Sequence, residues 1–264
     1  MNKKWYRILV IALAVIFAGS AGYVILKNMD YQRGVQVYDA AADIAAVPVL
    51  PEVPLEEEGE VAAEIPEELL DILADVDLGA LREVNGEVVG WIAIPGTEVS
   101  YPVLQGEDNR YYLNHTWNRV QSAVGSVFLE CRCAPDLTDF NTIVYGHRMK
   151  NGTMFGRLRD YNKEDFWRQH PVVYLVTDEH VYVYDIYAAF EAGVTEIIYR
   201  LDLTDEVERR KMIAFALSRS AIDTGITPTA EDRVVTLSTC TGRGHATRWV
   251  VQGVLREQIP REAE

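Results

Sequence analysis

The chain has 264 residues with 48% apolar content, which suits one folded domain with appendages. Forty acids outnumber 25 bases, yet thirteen of the acids fall between Asp39 and Asp77, where no Lys or Arg occurs. The remainder is near neutral, so no basic stripe is available for phosphates and nucleic acid is excluded as a partner.

Three cysteines are too few for a disulfide framework. Cys131 and Cys133 would close only a small, awkward ring. There is no Cys-x-x-Cys pair and no His/Cys run of zinc spacing, so the sequence predicts neither metal nor cofactor.

At the N-terminus, Lys3, Lys4 and Arg7 precede an uncharged run from Ile8 to Leu26. At 1.5 Å per residue that run rises about 28 Å, enough for a bilayer core. The flanking bases favour a cytoplasmic N-terminus with everything after Leu26 outside. A cleaved signal peptide is the rival reading, with Ala18-Gly19-Ser20-Ala21 as small residues near its end, but such apolar regions usually run only about 7–15 residues. Residues 1–38 are therefore read as stub, membrane anchor and juxtamembrane segment. From 39 to 66 the composition shifts to Ala, Pro, Val and Glu, with prolines at 48, 51, 54 and 66. This predicts an extended, solvated stalk, leaving 67–264 as the working domain.

After Pro66, two acids and then Leu69, Leu70, Ile72, Leu73 and Val76 at helical spacing predict a helix, and Leu78–Val84 a second short one. Eight β-rich runs follow: Trp91–Ile94, Val99–Leu104, Gly125–Glu130, Thr142–Tyr145, Val172–Thr177, Val181–Phe190, Arg233–Thr239 and Arg248–Leu255. A helix over Thr204–Ser220, with Thr204 as N-cap, is inserted before the last two. The pattern predicts a mainly β fold, a closed or nearly closed eight-stranded β-barrel with N-terminal helices and one helix between strands 6 and 7. No glycine-rich nucleotide loop is present.

Two strand ends carry chemistry. Arg233-Val-Val-Thr-Leu-Ser-Thr-Cys240 ends in a thiol before a glycine-containing turn, and a hairpin from there would return Arg248 beside it. Asn141-Thr-Ile-Val-Tyr-Gly-His147 presents an imidazole in the same manner. Alone, Cys240 reads as a packed core thiol more readily than as a nucleophile, and His147 divides evenly between structural and functional roles. Together the three offer a nucleophile, a general acid and a group to hold developing oxyanion charge, which is the chemistry of acyl transfer through a thioester. His115, His170, His180 and His245 lie in less suitable places.

Leu-Ser-Thr-Cys240, Arg248-Trp-Val-Val and Thr142-Ile-Val-Tyr-Gly-His147 resemble the sortase signature. The blocks Asn85-Gly-Glu-Val-Val-Gly-Trp-Ile-Ala-Ile-Pro-Gly-Thr, Tyr101-Pro-Val-Leu-Gln, Tyr111-Tyr-Leu-Asn-His and Met149-Lys-Asn-Gly-Thr-Met-Phe-Gly resemble class B sortases, across roughly 67–256. The resemblance implies a membrane-anchored cysteine transpeptidase of the Gram-positive cell surface. It would cut a sorting signal of secreted proteins after Thr and pass the acyl group to an amine of the peptidoglycan precursor. It implies Cys240 as nucleophile, His147 as general acid/base and Arg248 as oxyanion or substrate stabiliser. Ser238 and Tyr145 match groove-lining positions, with Thr195 and Tyr199 weaker matches. Arg243, in the glycine-rich interval before Arg248, competes for the stabilising role. Cys131 and Cys133 depart from the family pattern and read as incidental. Water as acceptor, in a surface cysteine protease, and a non-catalytic β-barrel module are the alternatives.

Overall fold

The computed structural model describes residues 3–51, 65–240 and 246–261. Its sheet is a closed barrel of eight strands: β1 (Val88–Ala93), β2 (Ser100–Leu104), β3 (Val127–Leu129), β4 (Asn141–Tyr145), β5 (Val172–Val176), β6 (His180–Gly193), β7 (Val234–Cys240) and β8 (Thr247–Pro260). Around the barrel the order is β1-β2-β3-β4-β7-β8-β6-β5, and β1 pairs β5 to close it. Closure leaves no open sheet edge. Five helices accompany the strands: α1 (Lys3–Ile44), α2 (Glu67–Ala74), α3 (Leu78–Val84), α4 (Glu164–Gln169) and α5 (Glu206–Arg219).

The eight β-rich runs correspond one to one with the eight strands. The largest extension is at the C-terminus: β8 continues through Arg256 to Pro260 because β6 pairs with it as far as His180↔Pro260. The charge of Arg256 hides this continuation in the sequence, but its guanidinium pairs with Asp185, and both side chains are mostly shielded. The buried core of the barrel includes Trp91, Tyr174, Tyr184, Ile92, Val144, Val173 and Leu237, all at most 2% exposed. Each such side chain contributes about 1.5–3 kcal/mol by leaving water.

A smaller apolar cluster lies between β6, β8 and α5, with Phe190, Met212, Ala216, Val234 and Val250 buried. Here the expected N-cap needs correction. Asp205, not Thr204, caps α5, its carboxylate accepting from the Val207 amide at 2.6 Å. Val207 is exposed, while Met212, Ile213 and Ala216 face the sheet. The contact stripe is set by which turns meet β6.

The reading of 39–66 as an extended stalk also meets a different arrangement. α1 runs through Ile44, and Tyr38, Ala41, Ala45 and Val47 are buried against the barrel. Averaged composition conceals this, since small alanines at helical spacing make a close-packing stripe among acids and prolines. Residues 52–64 lie outside the described residues. The apolar part of α1 near the N-terminus is long and apolar enough to cross a membrane, and its large side chains face outward.

Candidate active site

Strand pairing explains why residues far apart in sequence share one rim. β4 and β7 run parallel, with Tyr145 opposite Ser238, so both strands finish at the same end of the barrel. Gly146 continues the ladder, its amide donating to the Ser238 carbonyl at 3.2 Å. His147 therefore emerges beside Cys240. β8 is antiparallel to β7 and starts at this rim, which places Arg248 directly opposite Cys240. Directly opposed residues in such a ladder have Cα atoms about 4.5–5.5 Å apart.

The Cys240 thiol and the His147 imidazole are hydrogen-bonded to each other. Nε2 of His147 faces the Leu113 carbonyl at 2.6 Å. Cys240 is held below the ordinary thiol range, first by the bond to His147. Partial burial opposes this shift, and the charges of Arg248, His147 and Arg148 reinforce it. His147 is raised above its ordinary range, chiefly by the bond to Cys240. Burial opposes that, the Leu113 carbonyl adds to it, and the Arg248 charge pulls down. The two shifts converge, so the pair titrates as a unit and the thiolate–imidazolium form is enriched. Both groups are only half-buried and so within reach of a substrate.

The supporting packing is tight. A Cβ on Gly146 would lie 2.7 Å from the Phe155 ring, and the Phe155 amide donates to the His147 carbonyl at 2.9 Å. Trp249 Nε1 donates to the Leu158 carbonyl at 2.6 Å, fastening the start of β8 to the 3₁₀ segment Gly156–Asn162.

Of the four groove residues expected from the sequence, three meet at this rim. The Tyr199 hydroxyl is 2.9 Å from Ser238 Oγ, and its phenol, pushed up to about 12 by burial, also feels the Arg248 and Cys240 charges. Tyr145 pairs with Ser238 in the ladder and donates to Glu130 at 3.3 Å. Thr195 is exposed in the turn after β6, where Val194 N donates to the Ala246 carbonyl at 3.2 Å. Arg243 lies outside the described residues.

Cys131 and Cys133 differ from Cys240 in the sense of their titration. Burial pushes the Cys133 thiol up to about 12, and Cys131 is raised by burial and by the Glu130 carboxylate beside it.

Several contributors were not visible in the sequence. One is the Leu113 carbonyl, because backbone acceptors leave no residue-type signature. Another is Gly125 (φ +62°), where a Cβ would stand 2.8 Å from His147 Cδ2. A third is a buried chain of hydrogen bonds that ends at the Ile198 carbonyl. Tyr187 OH donates to Gln252 Oε1 at 2.7 Å, and Gln252 Nε2 to Thr236 Oγ1 at 2.7 Å. Thr236 Oγ1 in turn donates to Asn141 Oδ1 at 2.7 Å, and Asn141 Nδ2 to the Ile198 carbonyl at 2.8 Å. This fixes the 3₁₀ turn Ile197–Tyr199 that carries Tyr199. A polar residue opening the apolar strand at Asn141 was the only signal.

Known proteins match this arrangement. The sortase domain model matches residues 92–256. Sortase B of Listeria monocytogenes is 33% identical over 181 residues, covering 68% of this chain and 74% of that protein. The Staphylococcus aureus sortase B–substrate complex superposes with a TM-score of 0.64 at 30% identity, covering 68% of this chain and 84% of that one. The sortase B of Bacillus anthracis in complex with AAEK1 reaches a TM-score of 0.70 at 30% identity, covering 89% of this chain and 100% of that one. The chain belongs to the sortase family of cysteine transpeptidases, on the class B branch.

Proposed function

We propose that this protein is a membrane-anchored transpeptidase that cuts a C-terminal sorting signal after Thr and joins the released carboxyl end to an amine of the peptidoglycan precursor. The observation that carries the reading is the hydrogen-bonded Cys240–His147 pair, with Arg248 across the ladder, on an accessible rim. Cys240 thiolate attacks the scissile carbonyl carbon, forming a C–S bond, and the carbonyl oxygen takes on negative charge beside Arg248. As the C–N bond breaks, His147 gives its proton to the leaving amine, and a thioester remains. The acceptor amine attacks that thioester, its proton passes to His147, and the thiolate is released.

Ser238, Tyr145 and Tyr199 form the groove for the residues before the cut, and Thr195 stands apart in the exposed turn after β6. The Staphylococcus aureus sortase B has been solved as a substrate complex, which supports a sorting-signal peptide as ligand here. The apolar run 8–26 supports the anchor, with the N-terminus in the cytoplasm and the barrel on the extracellular face. Residues 1–38 are the anchor region and 67–264 the catalytic domain.

The test is mass spectrometry of Cys240 after incubation with Pro-x-Thr-type sorting peptides, with and without an added amine. A thioacyl adduct on Cys240 and an amine-dependent ligated product are expected. Cleavage retained in Cys240→Ala, or an adduct resolved only by water, refutes the proposal.

A further inference from the structure

The turn 122–126 has two neighbours. On one side stands the catalytic pair. A Cβ at Gly125 would come within 2.8 Å of His147 Cδ2 and of the Leu113 and Tyr112 carbonyls, and the Leu113 carbonyl is the partner of His147 Nε2. On the other side stands α1. The Tyr38 hydroxyl donates to the Gly125 carbonyl and lies 3.1 Å from Ser126 Oγ. The Trp117 indole donates to the Val37 carbonyl at 2.8 Å. A Cβ at Gly34 would stand 2.7 Å from Ser122 Oγ and Val124 Cγ2, so helix and turn are in direct contact. Tyr31 OH is 3.2 Å from Thr153 Oγ1, in the loop that follows His147.

Residues 31, 34, 38, 41 and 45 share one face of α1 by helical spacing. The helix is unbroken from Lys3 to Ile44, so one rod carries both the apolar span and this docking face. About 18 Å of helix separates Leu26 from Tyr38. A slack tether could not bear on the site, whereas a helix docked by side-chain bonds can.

We infer that α1 is a positioning element of the active site. Tyr38 pins the Gly125–Ser126 turn, and that turn, with the Leu113 carbonyl, sets the depth and tilt of the His147 imidazole against Cys240. The inference rests on the transpeptidase reading above. The groups that face His147 are Cys240 from β7 and Arg248 from β8, with Arg148 adjoining it in sequence. Tyr38 itself packs among Tyr101, Tyr112 and Trp117. Loosening the turn weakens the Leu113 carbonyl's support for the protonated ring, so the imidazolium loses its proton at lower pH.

The experiment uses the full chain in detergent, with Tyr38→Phe and Gly34→Leu, assayed by cleavage of a sorting peptide across pH. Tyr38→Phe is expected to lower kcat about tenfold with little change in KM, the cost of a displaced reacting group. Its alkaline limb should move to lower pH while the circular dichroism spectrum is retained. Gly34→Leu, which pries the helix from the turn, should move the limb the same way. If Gly34→Leu does not fold, Tyr38→Phe decides alone. An unchanged alkaline limb in folded Tyr38→Phe overturns the inference, as does a loss carried wholly by KM. Failure of the wild type to form a Cys240 thioacyl adduct would strike the transpeptidase reading instead, so the two failures are distinct.

Discussion

Replacing Asn141 by Leu tests the buried chain that carries the groove wall. Asn141 is 2% exposed; its amide accepts from Thr236 Oγ1 and donates to the Ile198 carbonyl. Leu fills nearly the same volume but leaves that hydroxyl without an acceptor and that carbonyl without a donor. Each of the two orphaned buried groups costs about 1–3 kcal/mol, and the added apolar burial returns about 1 kcal/mol, for a net loss of about 1–5 kcal/mol. In a folded body of this size 1 kcal/mol corresponds to about 2–4 °C, so Tm should fall by about 2–20 °C in a thermal melt. Released from Asn141, the Ile197–Tyr199 turn no longer holds Tyr199 against Ser238. KM for a sorting peptide should then rise several-fold, while alkylation of Cys240 by iodoacetamide keeps its rate. Adding Tyr199→Phe should cost little more in KM, because the two residues act through one contact. A variant melting within about 2 °C of wild type with unchanged KM would show that the chain does not support the groove.

Three further outcomes follow from the site. Iodoacetamide should label Cys240 at pH values below those needed for an ordinary thiol, while Cys131 and Cys133 stay unlabelled, since their thiols are raised and that of Cys240 is lowered. His147→Gln should move the Cys240 titration to higher pH, and Arg248→Met should move it less, because the imidazole bond is the larger cause; equal shifts by peptide-resolved mass spectrometry would contradict that order. Gly125→Ala sets a Cβ against the Leu113 and Tyr112 carbonyls and the His147 ring at a positive φ, so it should destabilise by about 1–3 kcal/mol and slow acylation by about tenfold or more, read by melting and by adduct formation.

Much of the barrel was legible because its strands obey local rules. β-branched runs bounded by turn residues identified all eight, and the thiol, imidazole and guanidinium stood out as polar groups ending apolar strands. The parts that stayed hidden depend on contacts rather than residue type. The 3₁₀ segments Tyr111–Leu113 and Gly156–Asn162 carry no periodic pattern, although the first supplies the carbonyl that orients His147. The docking face of α1 was masked by the acids and prolines around it. The contact stripe of α5 turned on which side β6 approaches, and no single-helix pattern records that.

Pairing geometry also accounts for the order of the functional residues along the chain. A parallel pair cannot be joined by a tight turn, because the chain must return to the starting end before the second strand begins. β4 and β7 are such a pair, and the return between them carries α4, β5, β6 and α5. His147 and Cys240 are therefore separated by nearly the whole second half of the barrel, although they touch. Cys240 and Arg248 belong to an antiparallel pair that needs only a short turn, so they lie close in sequence. Arg248 is held from both sides, opposite Cys240 on β7 and opposite Ala192 on β6, so damage at that end of β6 should reach the guanidinium before it reaches the imidazole that follows β4.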